Sequence, residues 1–231
     1  MNTAATAAIE ENDEVGKIKL YAFRWVPPVA EGIVRDLRVR WALEEAGLEY
    51  EEQLISRDDQ QTDWYRALQP FGQIPAYEED GLRLFESGAI VLRIAEKSTR
   101  LMPADADGRA RVGAWMFAAL NTLEPHVQNL ATIDLFNSNE TWAKLRRPAA
   151  VELVESRLAV LAGRLAEREH LEDRFSAGDL LVTTVLRILR HTDLVSSNPV
   201  LAAYQARCEA RPAFQKALAD QLESFKANAP G

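Results

Sequence analysis

The hydrophobic pattern of this chain changes type before its midpoint, and that change constrains the fold more than any other sequence feature. From residue 17 to about residue 97, short strand-like runs alternate with helix-like segments. After the Leu-Met-Pro sequence at 101–103 the strand pattern disappears, and apolar residues recur at helical spacing. We therefore predict an α/β domain over 16–98, a linker over 99–104 and an all-helical domain over 105–226, with residues 1–15 as a disordered acidic tail.

The first half follows the order strand, helix, strand, helix, strand, strand, helix. A right-handed crossover places the first two strands parallel, and the Asp80-Gly81 turn joins the last two as an antiparallel hairpin. This order predicts a mixed four-stranded sheet with helices on its faces. The predicted strands are Ile18–Phe23, Leu48–Ile55, Ile74–Tyr77 and Leu82–Phe85, and the predicted helices are Glu31–Ala46, 58–68 and Ser87–Lys97.

The second half contains two well-marked helices. Apolar residues spaced three and four apart from Val151 to Leu165 predict an amphipathic helix. The run 180–186 is apolar on every side, which predicts a helix at the centre of a domain. Just before it, Ser176 and Asp179 have the spacing of a capping box, in which each side chain satisfies a backbone N–H of the other residue.

Charge and composition exclude several classes of protein. The net charge is −8, from 27 Lys and Arg against 35 Asp and Glu, which is the wrong sign for a duplex-binding surface. The single cysteine excludes an internal disulfide, and the three histidines have no metal-ligand spacing. The longest uncharged stretch, 112–123, is too short to span a bilayer, and no secretory signal is visible. We expect a cytoplasmic protein with no metal, no nucleic-acid partner and no membrane partner.

Three groups of residues resemble the cytosolic glutathione transferase (glutathione S-transferase) family. Pro70–Ala76 followed by Leu84–Ile90 is similar to the core of that family's glutathione site. Arg38–Leu48 is similar to its first helix, and Phe175–Asp179 to the capping motif of its central C-terminal helix. On these motifs the chain is identified as a member of bacterial type, with no class assigned. The resemblance implies a thioredoxin-like N-terminal domain, an all-α C-terminal domain, a homodimer, and glutathione bound between the domains as co-substrate.

The same resemblance implies five glutathione-binding residues. Pro75 matches a cis-proline that turns the backbone of Ile74 outward, so that its N–H and C=O can pair with the cysteinyl part of glutathione as an added strand would. Ser87, as the cap of its helix, binds the γ-glutamyl carboxylate, and Glu86 binds the γ-glutamyl ammonium. Gln73 adds a contact to that end. An ordinary trans proline, a plain helix cap and a polar loop residue are the alternatives.

The segment Phe23–Gly32 departs from the family pattern because it contains no Ser, Thr, Cys or Tyr. Family members usually place a Tyr, Ser or Cys there, and a hydroxyl at that position donates to the glutathione sulfur. A cation or a helix N-terminus can also stabilise a thiolate. We therefore take Arg24, or a backbone N–H near Trp25, as the catalytic candidate. A solvated or carboxylate-bound Arg24 is the alternative. The Trp25 side chain is also a candidate wall of the electrophile pocket, with surface packing as its alternative.

Three further residues bear on the thiol chemistry. Arg35, on the first turns of the following helix, is a second cation near this segment. Tyr21 is the nearest hydroxyl but lies within a predicted strand. Cys208 lies far from the motif and is expected to be a small buried residue, so a cysteine mechanism of the glutaredoxin type is disfavoured.

The first helix of the C-terminal domain supplies the expected electrophile pocket, because that helix faces the site in the family. Its candidates are Trp115, Phe117 and Asn121, with Met116 and His126 as further ones, and core packing is the alternative for at least half of them. The leading hypothesis is a detoxifying transferase that joins the glutathione thiolate to an apolar electrophilic small molecule. The alternatives are a non-catalytic glutathione-binding or interaction module, and a glutathione-dependent peroxidase or dehalogenase.

Overall fold

The computed structural model describes residues 17–230, so the predicted tail over 1–15 lies outside the described residues. The strands are β1 (Ile18–Phe23), β2 (Tyr50–Ile55), β3 (Ala76–Glu79) and β4 (Leu82–Phe85). They form one mixed sheet in the order β2-β1-β3-β4, in which β1 and β2 are parallel and the other neighbours are antiparallel. Asp80 and Gly81 both have positive φ, as a tight hairpin turn requires. The predicted thioredoxin-like sheet is confirmed.

The helices beside the sheet are α1 (Asp36–Ala46), α2 (Asp63–Leu68) and α3 (Ser87–Ala95). The first predicted helix is wrong at its start, since α1 begins at Asp36 and not at Glu31. A 3-10 turn over Pro28–Ala30 and a left-handed Gly32, with φ +69°, precede α1 and break the helical path. Residues 24–35, between β1 and α1, are called the β1–α1 loop below.

The predicted helix over 58–68 is divided at Thr62. This residue is extended, with ψ 152°, and separates a 3-10 turn over Asp59–Gln61 from α2. Its Oγ1 accepts a hydrogen bond from the Tyr65 N–H at 3.4 Å and so caps α2. A side chain that favours caps over helix interiors explains the break.

The C-terminal part, from residue 104 to residue 230, is helical without any strand in this range. Its α-helices are α4 (Ala106–Phe117), α5 (Glu124–Ala131), α6 (Thr141–Leu165), α7 (Ala177–Arg187), α8 (Pro199–Glu209) and α9 (Pro212–Ala227), and a 3-10 turn, Ile188–His191, follows α7. A π-helical segment, Ala118–Leu123, joins α4 to α5, and a second, Thr132–Phe136, follows α5. Such π-helical turns are frequent at functional sites.

A continuous core connects the two parts of the chain. Residues 177–186 of α7 are all buried, as their apolar pattern predicts. The Trp41 ring of α1 packs against the C-terminal helices, with its centroid 5.6 Å from the Phe175 ring and 4.8 Å from the Phe214 ring. The site described below therefore lies between parts that are packed directly on each other.

The connection over 99–104 is part of this packing. Leu101 and Met102 are buried, and the Leu101 C=O accepts a hydrogen bond from the Ala177 N–H at 2.9 Å. The segment thus meets the start of α7 and does not form an exposed spacer. The domain boundaries themselves stay a prediction.

A cluster of hydrogen bonds on the Asp179 carboxylate closes the start of α7. Its Oδ2 accepts from the N–H and from the Oγ of Ser176, both at 3.0 Å. Its Oδ1 accepts from the Leu171 N–H at 2.9 Å and from the Tyr204 hydroxyl at 3.0 Å. Asp179 is fully buried, so this cap uses both carboxylate oxygens and leaves neither for a ligand.

Candidate functional site

A cavity of about 860 Å³ lies between the α/β part and the segment that runs from α4 into α5. Its α/β wall contains all five residues that the sequence predicts for glutathione. The structure thus brings together Gln73, Ile74, Pro75, Glu86 and Ser87 on one wall.

The Gln73–Pro75 corner is held by a hydrogen bond from α2. The Ile74–Pro75 peptide bond is cis, as expected, and both residues are buried. The sheet ladder starts one residue later, with Tyr21 paired to Ala76, so the backbone of Ile74 lies outside it. The Tyr65 hydroxyl donates to the Gln73 C=O at 2.7 Å. This bond fixes the approach to the corner from the α2 side.

The junction between β4 and α3 has an unusual backbone. Glu86 has φ +68°, which is uncommon for a residue other than glycine. The expectation that Ser87 caps α3 is wrong by one position, since Glu86 takes the cap position and Ser87 is the first helical residue. No side chain caps α3. The first N–H groups of α3 therefore stay available at the cavity, which Ser87, Gly88 and Ala89 line.

Gly88 allows α3 to approach the π-helical segment closely. A Cβ at this position would lie 2.3 Å from Cδ1 of Leu120. A larger residue would displace the end of the Leu120 side chain. The glycine thus allows this close contact at the start of α3.

A buried ion cluster lies beneath Ser87. Arg38 donates from Nη1 to the Ser87 Oγ at 3.2 Å, and its Nη2 lies 3.0 Å from Oε1 of Glu124. Arg35 approaches the same oxygen at 2.8 Å through Nη2 and donates to it through Nε at 3.0 Å. The side chains of Arg38 and Glu124 are 3% and 8% exposed, whereas that of Arg35 is 43% exposed. Since Arg38 donates to Ser87, the Ser87 hydroxyl proton is free to point at a ligand.

The charges in this cluster do not cancel. Burial alone raises the pKa of Glu124, but the charges and hydrogen bonds of Arg38 and Arg35 outweigh it and hold that pKa below its usual value. Burial lowers the pKa of Arg38, and the charge of Glu124 opposes this. Two guanidinium groups thus face one carboxylate within this cluster, and the charge of the neighbouring Glu86 also acts on Arg38.

A second cavity of about 300 Å³ adjoins the first and shares Arg35, Gln73, Ile74 and Gln128 with it. The β1–α1 loop and the second π-helical segment supply its largely apolar remainder. The loop residues Val29, Ala30, Ile33 and Val34 lie opposite Leu135 and Phe136 there. The cavities together combine a polar end at α3 with an apolar end at the loop.

The residues predicted for thiol activation are not among those that line either cavity. Arg24 is exposed, and its charge helps to lower the pKa of Asp59, behind two hydrogen bonds from Ser56. This agrees with the alternative of an exposed loop residue. Trp25 is half-buried outside both linings. Of the cations that the sequence places near this loop, Arg35 is the one that lines both cavities.

The other two thiol-chemistry residues lie elsewhere, as expected. The Tyr21 hydroxyl donates to Oε2 of Glu78 at 2.5 Å, and burial raises its pKa. Cys208 is fully buried, and burial raises the pKa of its thiol to about 12. A thiol that is not ionised and not accessible is unreactive.

The predicted electrophile residues divide into two groups. Phe117 and Asn121 line the larger cavity, together with Met116. Trp115 does not, because its ring turns into the helical part, where Nε1 donates to Glu172 at 3.0 Å. The placement of Trp115 is therefore wrong, and core packing is its role. His126 is not in this lining either.

Comparison with known proteins agrees with this geometry. The family model described as the glutathione S-transferase N-terminal domain matches residues 31–96. A glutathione S-transferase from Hyoscyamus muticus is 30% identical over 196 residues, which cover 79% of this chain and 92% of that protein. The chain belongs to the glutathione S-transferase family. Glutathione S-transferase 3 from Zea mays, another relative, is 31% identical over 87% of this chain and 93% of its own length.

Solved glutathione transferase structures share the whole fold. A glutathione transferase from Burkholderia graminis, with two glutathione molecules bound per subunit, superposes with a TM-score of 0.77 at 30% identity and covers 88% of each chain. One from Pseudomonas putida, with one glutathione disulfide bound per subunit, has a TM-score of 0.77 at 25% identity and covers 96% of this chain and 95% of its own.

Sequence reasoning missed the ion cluster of Arg35, Arg38 and Glu124 as a unit. One signal was present: the apolar stripes of α1 indicate a helix wedged between two layers, so an arginine on it must be buried and paired. The partner Glu124 lies 86 positions beyond Arg38 in the printed sequence, and no local pattern connects them.

Over residues 17–230, no helix is long and apolar enough to cross a membrane, and no cluster of His, Cys, Asp and Glu could hold a metal.

Proposed function

We propose that this glutathione transferase binds glutathione in the larger cavity and joins its thiolate to an electrophilic small molecule. The observation that carries the proposal is the meeting of the cis-Pro corner and the α3 start on one cavity wall. A new bond forms between the sulfur and the electrophilic atom, and the thiol proton leaves with the displaced group or moves to the acceptor.

The proposed pose follows from the groups on that wall. The N–H and C=O of Ile74 pair with the cysteinyl part of glutathione. The Ser87 hydroxyl and the open N-terminus of α3 bind the γ-glutamyl carboxylate, and the exposed Glu86 binds the ammonium. Gln73 contacts the same end. The exposed Glu86 beside Ser87 supports this orientation, because the γ-glutamyl end carries both a carboxylate and an ammonium, whereas the glycyl end carries a carboxylate alone.

Arg35 replaces Arg24 and Trp25 as our candidate for thiol activation. It lines both cavities, as Ile74 does. The start of α1 adds partial positive charge there. Each unit by which the pKa of the thiol falls requires about 1.36 kcal/mol of preference for the thiolate, which is within reach of a partly buried cation.

The second cavity is the proposed position of the electrophile. Its apolar loop residues suit an apolar acceptor, and Phe117 and Asn121 add a wall on the side of the larger cavity. The Burkholderia graminis relative holds two glutathione molecules per subunit, which supports room for a second ligand beside the first.

The remaining expectations stay part of the proposal. A homodimer is supported by exposed aromatic side chains such as Phe71, which is 67% exposed and lies against Phe85 with ring centroids 6.1 Å apart. A cytoplasmic location and a role in detoxification follow from the family resemblance alone. The assignment to the bacterial type also follows from that resemblance alone, because the relatives named above come from both plants and bacteria and do not distinguish the types.

Titration of the full-length protein with glutathione tests the proposal. Calorimetry should show binding at millimolar glutathione, an ultraviolet thiolate band should appear near neutral pH, and chlorodinitrobenzene should be converted to its glutathione conjugate. No binding would remove the proposal. Binding without a thiolate band or conjugate would favour the non-catalytic module.

A further inference from the structure

The β1–α1 loop is held by two arginines that are far from it in the sequence: Arg187, the last residue of α7, and Arg190 in the 3-10 turn that follows α7. Arg190 donates from Nη1 to the Glu31 C=O at 2.6 Å and from Nη2 to the Val29 C=O at 2.8 Å. Arg187 donates from Nε to the Gly32 C=O at 3.1 Å. Carbonyl groups of three loop residues are thus bound by side chains more than 150 positions away in the chain.

Arg187 is itself fixed in place. Its Nη1 lies 2.9 Å from Oε1 of Glu209, and its guanidinium stacks over the Phe214 ring at 4.9 Å from the centroid. The side chain is only 12% exposed. A guanidinium held by a carboxylate and a ring presents its remaining N–H in a set direction, so the loop is attached to a rigid point of the helical part.

The loop is shaped to accept this attachment. Gly32 has φ +69°, and a Cβ there would lie 3.1 Å from Nη2 of Arg187 and 3.1 Å from Cδ1 of Leu218. Both the backbone angle and the close approach favour glycine. A substitution at Gly32 therefore perturbs the attachment from the loop side.

Packing alone does not hold this part of the loop. Val29 is 45% exposed. Val29 and Ile33 border the second cavity and also a further cavity of about 300 Å³ that Ile188 and His191 line. Since unfilled space adjoins the loop, its position depends on the arginine hydrogen bonds more than a packed loop's position would.

We propose that Arg187 and Arg190 are positioning residues that hold the β1–α1 loop as a wall of the second cavity, and so set the efficiency with which an electrophile is used. This inference rests on the proposed function, because it assigns that cavity to the electrophile. Neither arginine lines the larger cavity, and the proposed glutathione-binding residues Gln73–Pro75, Glu86 and Ser87 lie outside the loop that they hold.

The test combines hydrogen exchange with kinetics on the full-length protein. Arg190→Ala should speed the exchange of amides in residues 29–36 and lower kcat/KM for chlorodinitrobenzene about ten- to hundredfold, the scale of a misplaced active-site wall. The KM for glutathione should not change. A general loss of folded protein would instead lower kcat for both substrates and leave both KM values alone.

Two further variants complete the design. Arg207→Ala removes two comparable guanidinium bonds, both to the Glu169 C=O on another surface, and should leave loop exchange and kinetics unchanged. Gly32→Ala should reproduce the effects of Arg190→Ala from the loop side.

Loop exchange that is the same in Arg190→Ala and the wild type would overturn the inference, whether or not the protein is active. Faster loop exchange with unchanged kcat/KM for the electrophile would also overturn it. If the wild type forms no conjugate at all, the proposed function fails, and so does the assignment of these arginines to electrophile use. In that case, hydrogen exchange of the loop amides still tests whether the two arginines hold the loop.

Discussion

The N-termini of α3 and α7 are alike in sequence, but one is open to a cavity and the other is closed by a buried cap. A serine near the start predicts a cap for each helix. At α7, Asp179 binds the N–H and hydroxyl of Ser176 and is itself buried beneath Leu171 and Tyr204. At α3, no side chain caps the helix, and the N-terminus of the helix opens on a cavity. The Ser87 hydroxyl accepts a hydrogen bond from the buried Arg38.

The difference teaches how a structural helix start can be told from a binding one. A cap made by the helix's own residues satisfies the first N–H groups and leaves nothing for a ligand. An uncapped helix start has free N–H groups. When a buried cation also orients a serine hydroxyl toward the same space, the N–H groups and the hydroxyl together can bind an anion. The predictions below test this contrast, from the largest expected effect to the smallest.

Replacement of Asp179 should affect stability alone. Asp179→Ala leaves four donors without their acceptor, and each unpaired buried group costs about 1–3 kcal/mol, so the free energy of unfolding should fall by at least about 3 kcal/mol. Urea unfolding measures this loss. Asp173→Ala, an exposed carboxylate in the same loop, should change little, and glutathione affinity of the folded Asp179 variant should match the wild type. Weakened binding in that folded variant would contradict the structural role.

Replacement of Ser87 should affect binding first. Ser87→Ala removes a hydrogen bond to a charged group and should weaken glutathione binding by about 1–3 kcal/mol in calorimetry. Ser156→Ala is the matched control, because Ser156 is an exposed helical serine whose hydroxyl donates to the Leu153 C=O. Equal affinities for the Ser87 variant and the wild type would place the γ-glutamyl carboxylate elsewhere.

Substitutions of Arg35 and Arg24, the two arginines that the sequence places near the glutathione thiol, should have different effects. Arg35→Ala should raise the pKa of bound glutathione by about one unit, and so lower kcat/KM near neutral pH about tenfold. The loss should shrink as the pH rises above the new pKa. Arg24→Ala should show neither effect, since Arg24 is exposed outside both cavities. A larger loss for Arg24 than for Arg35 would restore the sequence-based candidate.

The smallest expected effect concerns acid stability. The pKa of Glu124 is lowered in the folded chain, where Arg38 and Arg35 outweigh burial. Its contribution to stability is therefore present above the pKa of an unfolded glutamate, about 4.3, and is lost as the pH falls through the lower folded value. Between about pH 5 and pH 3, wild type should lose more stability than Glu124→Gln in urea titrations. Parallel losses in the two proteins would mean that Glu124 is not paired in solution.

The fold and the motif-bearing part of the site could be predicted because their signals are local. Strand alternation, the Asp80-Gly81 turn and the run 180–186 each decide one element from adjacent residues. The cis-Pro corner and Glu86-Ser87 likewise lie in short motifs, and the structure places them on one wall.

What could not be predicted depends on contacts between distant segments. Glu124 meets Arg38 across 86 positions of sequence, and Arg190 reaches the Val29 C=O across 161. The start of α1 was misplaced because Gly32 adopts a left-handed backbone in contact with Arg187, a partner that no window around the loop contains. Trp115 shows the same limit, since helical spacing does not tell a cavity wall from a core face.

A crystal structure of the complex with glutathione tests the central claim most directly. The account predicts a tripeptide whose cysteinyl backbone pairs with the N–H and C=O of Ile74 and whose γ-glutamyl carboxylate lies on Ser87 and the start of α3. The sulfur should then point toward Arg35. A glutathione bound away from Ile74, or reversed so that its glycyl end meets Ser87, would contradict it.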